Sequence, residues 1–265
     1  MVQTQHDKTA APDRAKIIER IGAFWPGKPD TPADAHLWSP RVTAVLIAFW
    51  LVAAVSLTVL SIEAHTHPYF TGDVGIATAL QKVNGTVLAP IINISSQLNW
   101  PQPAGIIAIA LIILMVIVRR FRAALCLVIS GFGADLANVV LNSAVARPRP
   151  NNVQIHVVAN LGLHSFPSGH VTHVISFYGF LLYFCVRGRQ AHPNWRPWLL
   201  VIQAISVFFI ITIGPSRVML GEHWPSDVLG SYLLGAMMLI LAIALYHLLA
   251  IAWVRFQAAR AVAGG

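Results

Sequence analysis

Residues 42–62 read VTAVLIAFWLVAAVSLTVLSI, an apolar run with no charged residue, and its reading decides the fold. At about 1.5 Å per residue, a helix of this length covers the ~30 Å hydrocarbon core of a bilayer. Five further apolar runs follow at 104–118, 123–146, 169–186, 197–213 and 227–254. The pattern predicts an all-α protein, a bundle of six transmembrane helices forming one domain over 42–254. Composition agrees, since 56% of the 265 residues are hydrophobic and only 11% are charged. Residues 1–41 and 255–265 read as polar tails. In the first tail, Ile17, Ile18, Ile21, Phe24 and Trp25 recur at helical spacing and predict a short interfacial helix. The connection 65–103 holds Gly72, Gly85, Pro90 and Pro101 and reads as extramembrane, with one or two short helices. No cleavable signal peptide is expected, so the first run stays as an anchor.

The net charge of +8 does not predict a nucleic-acid partner, because the basic residues fall in short groups between apolar runs. Their placement fits contact with membrane phospholipids and sets an orientation. Lys8, Arg14, Lys16, Arg20, Lys28 and Arg41 precede the first run; Arg119, Arg120 and Arg122 follow the second; Arg187, Arg189 and Arg196 follow the fourth; Arg255 and Arg260 close the chain. All lie on one side, which basic residues identify as cytoplasmic, so both termini are expected there. The opposite side keeps Lys82, Arg147, Arg149 and Arg217. Cys126 and Cys185 sit inside apolar runs without metal-ligand spacing and are expected to pack in the core. Met237 and Met238 read the same way. No metal or cofactor is expected.

Three polar clusters fall on the outer side beside helix ends: Arg147-Pro-Arg149-Pro150, Phe166-Pro-Ser168-Gly169-His170, and Ser216-Arg217 with His223 and Asp227. Guanidinium forks match phosphate oxygens, Gly169 allows close backbone approach, and a helix opening after Pro167 offers free N–H groups to an anion. Asp227 lies four residues after His223, close enough to hold one ring nitrogen and leave the other as a nucleophile. His170 is then available as a general acid. Taken singly, Asp227 could merely complement a helix dipole, Arg147 could reach out to headgroups, and His173 could only line a pocket. His164 has no place in the clusters and is expected to be solvated.

These clusters resemble the type 2 phosphatidic acid phosphatases, which share an active site with vanadium-dependent haloperoxidases. Pro167-Ser-Gly-His170 matches the family pattern intact, as does Ser216-Arg217 followed by His223 and Asp227. The stretch from Asn142 to Arg149-Pro150 matches the remaining motif except at its first position, where the family has lysine. The resemblance implies a lipid phosphatase in which His223 attacks phosphorus to form a phosphohistidine, Asp227 orients His223, and His170 protonates the leaving group. It further implies that Arg149, Arg217, Ser168 and the Gly169 backbone hold the phosphoryl oxygens. Asn142 keeps a hydrogen-bond donor there but no charge. Bacterial relatives act on polyprenyl diphosphates, phosphatidylglycerophosphate, phosphatidate or lipid A phosphates, and the sequence does not choose among these lipid phosphate substrates. Phosphotransfer from the same intermediate, or non-catalytic lipid-phosphate binding or transport, are the alternatives.

Asp135 is a carboxylate within a span, where charge is costly. It shares a helical face with Asn138 and Asn142, so it is either an interhelical hydrogen-bonding group or part of a polar stripe shaping an entrance.

Overall fold

The computed structural model describes residues 38–159, 164–191 and 193–263. The expected interfacial helix lies outside these residues. The described chain is helical: α1 (Pro40–Thr66), α2 (Asp73–Gln81), α3 (Leu88–Leu98), α4 (Pro101–Ile117), α5 (Phe121–Val128), α6 (Ala134–Val145), α7 (Gly169–Ala191), α8 (Arg196–Met219) and α9 (Pro225–Ala263). A π-helical turn, Ile129–Gly133, joins α5 to α6 without breaking the rod. Among the described residues, five helical stretches are long and apolar enough to cross a membrane: α1, the α5–α6 rod, α7, α8 and α9.

The second expected span differs in form. α4 is shorter than the other spans, and it passes the same test only together with α3, the pair being bent by 63° at residues 99–100. Trp100 and the prolines at 101 and 103 explain the break, because proline is favoured in the first turn of a new helix and cannot continue the old one. Part of the connection read as extramembrane is therefore apolar helix. Two other boundaries move. α8 runs through Pro215 to Met219 instead of stopping near 213, and α9 begins at Pro225 and continues past 254 to Ala263.

α7 is the axis of the bundle. Val171, Val174, Phe177, Phe180 and Cys185 bury side chains pointing in several directions around it, as expected of a helix enclosed on all sides. α8 and α9 pack on it, α1 packs on α9, and α3 packs on α8. α1 by contrast leaves Val45, Val52, Val55 and Ile62 exposed, the surface a lipid-facing helix presents. Cys126 and Cys185 are buried and unpaired in disulfides.

The short helix α2 closes the bundle at the end where the polar clusters meet. Its Gln81 amide donates to the His156 carbonyl (2.6 Å) and accepts from the His156 N–H (3.0 Å), while Asn84 donates to the Met219 carbonyl (2.9 Å). Beneath them the chain turns at Gly221, whose φ of +70° is in the left-handed region, and a Cβ there would lie 2.2 Å from the His156 oxygen. Only glycine satisfies both constraints. Gly221→Ala should therefore destabilise the protein by about 2 kcal/mol or more, read as a lower unfolding midpoint in detergent.

Candidate active site

The three polar clusters come together below this cap, around a cavity of about 670 Å³ whose wall includes Asn142, Arg149, Gly169, His170, His173 and His223. His223 reaches it from the turn before α9. Its Nδ1 donates to the carbonyl of Ser165 (2.8 Å), and since a carbonyl only accepts, the proton sits on Nδ1. Nε2 then carries the lone pair, 3.3 Å from the Arg149 guanidinium. Burial pushes His223 down to about 4 and so keeps it neutral; nearby Arg149 and Arg217 act in the same direction, and Asp227 opposes them. Arg149 also donates to the Glu222 carbonyl (2.7 Å), which fixes the fork beside the ring. Burial lowers Arg149 from its ordinary value, opposed by Asp227.

Asp227 does not hold the ring as expected. Its Oδ2 is 3.7 Å from His223 Nδ1, outside hydrogen-bonding range, and instead accepts the Trp224 N–H at 2.8 Å. The physical reason is helix capping. Asp227 is the third residue of α9 and turns back to the free N–H at its entrance. Ring orientation comes from Ser165, and Asp227 supplies charge close by.

Arg147 is neither on the phosphate side nor at the lipid surface. Its side chain is fully buried between two carboxylates, Asp73 (3.0 Å) and Asp227, and it also donates to Ser226 (2.8 Å). Asp73 in turn accepts from the Ser226 N–H (3.0 Å) and hydroxyl (2.6 Å). The network ties α2 to the start of α9 and neutralises the carboxylate beside the histidine. Asp73 carries no motif and lies far away in sequence, so only the fold reveals it.

Arg217 is fully buried at the end of α8 and ion-paired with Glu222, with Trp100 5.8 Å from the guanidinium. It is outside the cavity lining, so its expected phosphate position is held by a carboxylate in this structure. Asn142 lines the cavity, but its amide donates to the carbonyls of His164 (3.2 Å), Phe166 (3.1 Å) and Pro167 (3.4 Å). With its donors spent on the loop before α7, Asn142 braces that loop and does not face phosphate. Ser168 is buried, its N–H given to Ser231 (2.6 Å) and its hydroxyl without a partner. His170 faces the cavity beside Trp100, ring centroids 5.4 Å apart, and its Nε2 has no partner. His164 is exposed, yet it borders the cavity mouth. Among the described residues, no group of three or more His, Cys, Asp or Glu side chains is placed to hold a metal ion.

A helical membrane bundle with two histidines and an arginine on one cavity wall has the chemistry of a phosphate site. The family model described as PAP2 superfamily matches residues 121–251. Phosphatidylglycerophosphatase B of Bacillus subtilis (strain 168) is 32% identical over 111 residues, 42% of this chain and 52% of that protein. The chain thus spans about half the length of the curated relative it matches. The crystal structure described as the first transmembrane PAP2-type phosphatidylglycerolphosphate phosphatase, also from Bacillus subtilis, superposes with a TM-score of 0.60 at 22% identity. That match covers 73% of this chain and 93% of the other, so the two share a fold.

Proposed function

We propose that the chain is a lipid phosphate phosphatase of the membrane, working without metal through a phosphohistidine on His223. The observation that carries this reading is the tautomer: Nδ1 is tied to the Ser165 carbonyl, so the lone pair of Nε2 is presented beside Arg149. In the first step Nε2 bonds to phosphorus, the ester P–O bond breaks, and His170 gives a proton to the departing alkoxide. In the second, water attacks phosphorus and loses its proton to His170. The N–P bond breaks and its electron pair returns to Nε2. Arg149 stabilises the charge building on the phosphoryl oxygens, and the substrate's phosphate takes Arg217 from Glu222. Asp227 supports the positive charge that His223 acquires on phosphorylation.

A lipid substrate fits the setting, since Trp100, Ala104, Phe132 and Val139 form an apolar wall that continues from the catalytic groups along membrane-spanning helices. Phosphatidylglycerophosphate is the first candidate by relation to the Bacillus subtilis protein. The basic connections support a site on the periplasmic side. Phosphate release by purified protein across a panel of lipid phosphates, in the presence of chelator, tests the reading. Release of free phosphate with no phosphorylated acceptor separates hydrolysis from transfer.

The depressed His223 predicts a pH profile. The nucleophile is neutral above about pH 4 and gains a proton below it. After correction for substrate ionisation, the acid limb of kcat/KM should have its midpoint near pH 4 instead of the ordinary histidine value of about 6.5. A midpoint at the ordinary value would show that the ring is solvated.

A further inference from the structure

The cavity wall continues past the catalytic histidine. One turn along α7 from His170, the His173 Nδ1 is 3.1 Å from both carboxylate oxygens of Asp135. Both residues line the cavity, and the Asp135 side chain is 41% exposed although it belongs to an apolar span. A carboxylate at such a position is costly unless donors reach it. The single Nδ1–H of His173 serves only part of its capacity, which is about four lone-pair sites.

Backbone geometry also aims this carboxylate inward. Asp135 follows the π turn Ile129–Gly133 with only Ala134 between them. The extra residue in such a turn rotates everything after it by about 100° round the helix axis. The result is a row of Asp135, Asn138 and Asn142 along the cavity wall. Asn138 spends its donors on Pro167 and Thr172, and Asn142 spends its own on the loop, so their amide oxygens remain as neutral acceptors and Asp135 is the charged acceptor in that row.

We propose that Asp135, held by His173, accepts a hydrogen bond from a free hydroxyl on the alcohol part of the substrate. The preferred class is then a lipid phosphate whose phosphorylated alcohol keeps a hydroxyl on its second carbon, over prenyl or fully acylated alcohols. The spacing suits it. His170 and His173 differ by about 4.5 Å along α7. Two carbons, an oxygen and one hydrogen bond bridge a gap of about that length. A substrate without the hydroxyl displaces water from the carboxylate and returns nothing, so the subsite also selects by rejection. The inference rests on the phosphatase reading and specifies its substrate.

The test compares a 1-acylglycerol 3-phosphate with its 2-deoxy analogue of the same chain length, using wild type, Asp135→Asn and Asp135→Leu in detergent micelles. The ratio of the two kcat/KM values is independent of how much protein is folded. Wild type should prefer the hydroxylated lipid by about tenfold or more, Asp135→Leu should bring the ratio to near one, and Asp135→Asn should fall between. A wild-type ratio within about twofold of one, or a ratio that the substitutions leave unchanged, overturns the subsite. Protection of the wild-type protein against thermal unfolding by the same two lipids gives the second readout. Equal protection also overturns the subsite, whereas unequal protection without phosphate release upholds it and removes the phosphatase reading alone.

Discussion

His223→Ala should lower phosphate release by about a thousandfold or more, because nothing else on the cavity wall offers an equivalent lone pair to phosphorus. His170 faces the same space from α7, and the proposed mechanism gives it to the leaving group. The structural cost should be small. The ring makes one hydrogen bond to protein through Nδ1, to the Ser165 carbonyl, so about 1 kcal/mol of stability is at stake. A large kinetic loss with a nearly unchanged unfolding midpoint is therefore the expected signature. Wild-type protein quenched in mid-turnover should carry phosphate that is labile to acid and stable to alkali, as a phosphoramidate is, and the alanine variant should carry none. Retained release in the variant would refute the nucleophile.

Arg147→Met should be the most destabilising single change in the site. It strands Asp73 and Asp227, whose side chains are 4% and 0% exposed, without the cation they share. Breaking a buried ion pair from one side typically costs about 3–5 kcal/mol, since the remaining charge stays desolvated. In a protein of this size that is a fall of roughly 10 °C in the unfolding midpoint. Arg147→Lys keeps the charge but replaces a fork by a point, so it should recover only part of the loss. Activity should fall as well, because Asp227 can then turn or take up a proton. Differential scanning fluorimetry in detergent, beside kcat for a short-chain lipid phosphate, separates these two effects.

The sequence made some of this plain and hid the rest for physical reasons. Long apolar runs need no partner to be recognised, so five spans were readable directly, and the sixth was misread in form because Trp100 and Pro101 split its apolar surface across a bend. The run ending at 213 fell short of α8, because the proline at 215 removes only one donor and the buried packing around Ile213 and Val218 carries the helix through. His223, His170 and Arg149 were found because their types and spacing have chemical meaning. Ser165 was not, since it acts through a backbone carbonyl that every residue possesses. Asp73 was hidden by separation, lying 74 residues before Arg147 in a stretch without a motif. Asn142 was expected at the phosphate and lines the cavity, but its donors turn to the loop, a choice that sequence cannot record.

The clasp that α2 makes with the entrance of α9 bears on biogenesis. Asp73 emerges from the ribosome early, while the Ser226 groups and the Asp227 charge it helps secure arrive with the last span, 153 residues later in the case of Ser226. A chain that has inserted every helix except α9 holds Arg149 and His170, but the turn that carries His223 lacks the helix entrance and the Asp227 charge beside it. On the proposed mechanism, catalytic competence is a property of the completed molecule, gained when the final helix enters the bilayer, and truncated products of interrupted synthesis should be inert towards the lipids around them.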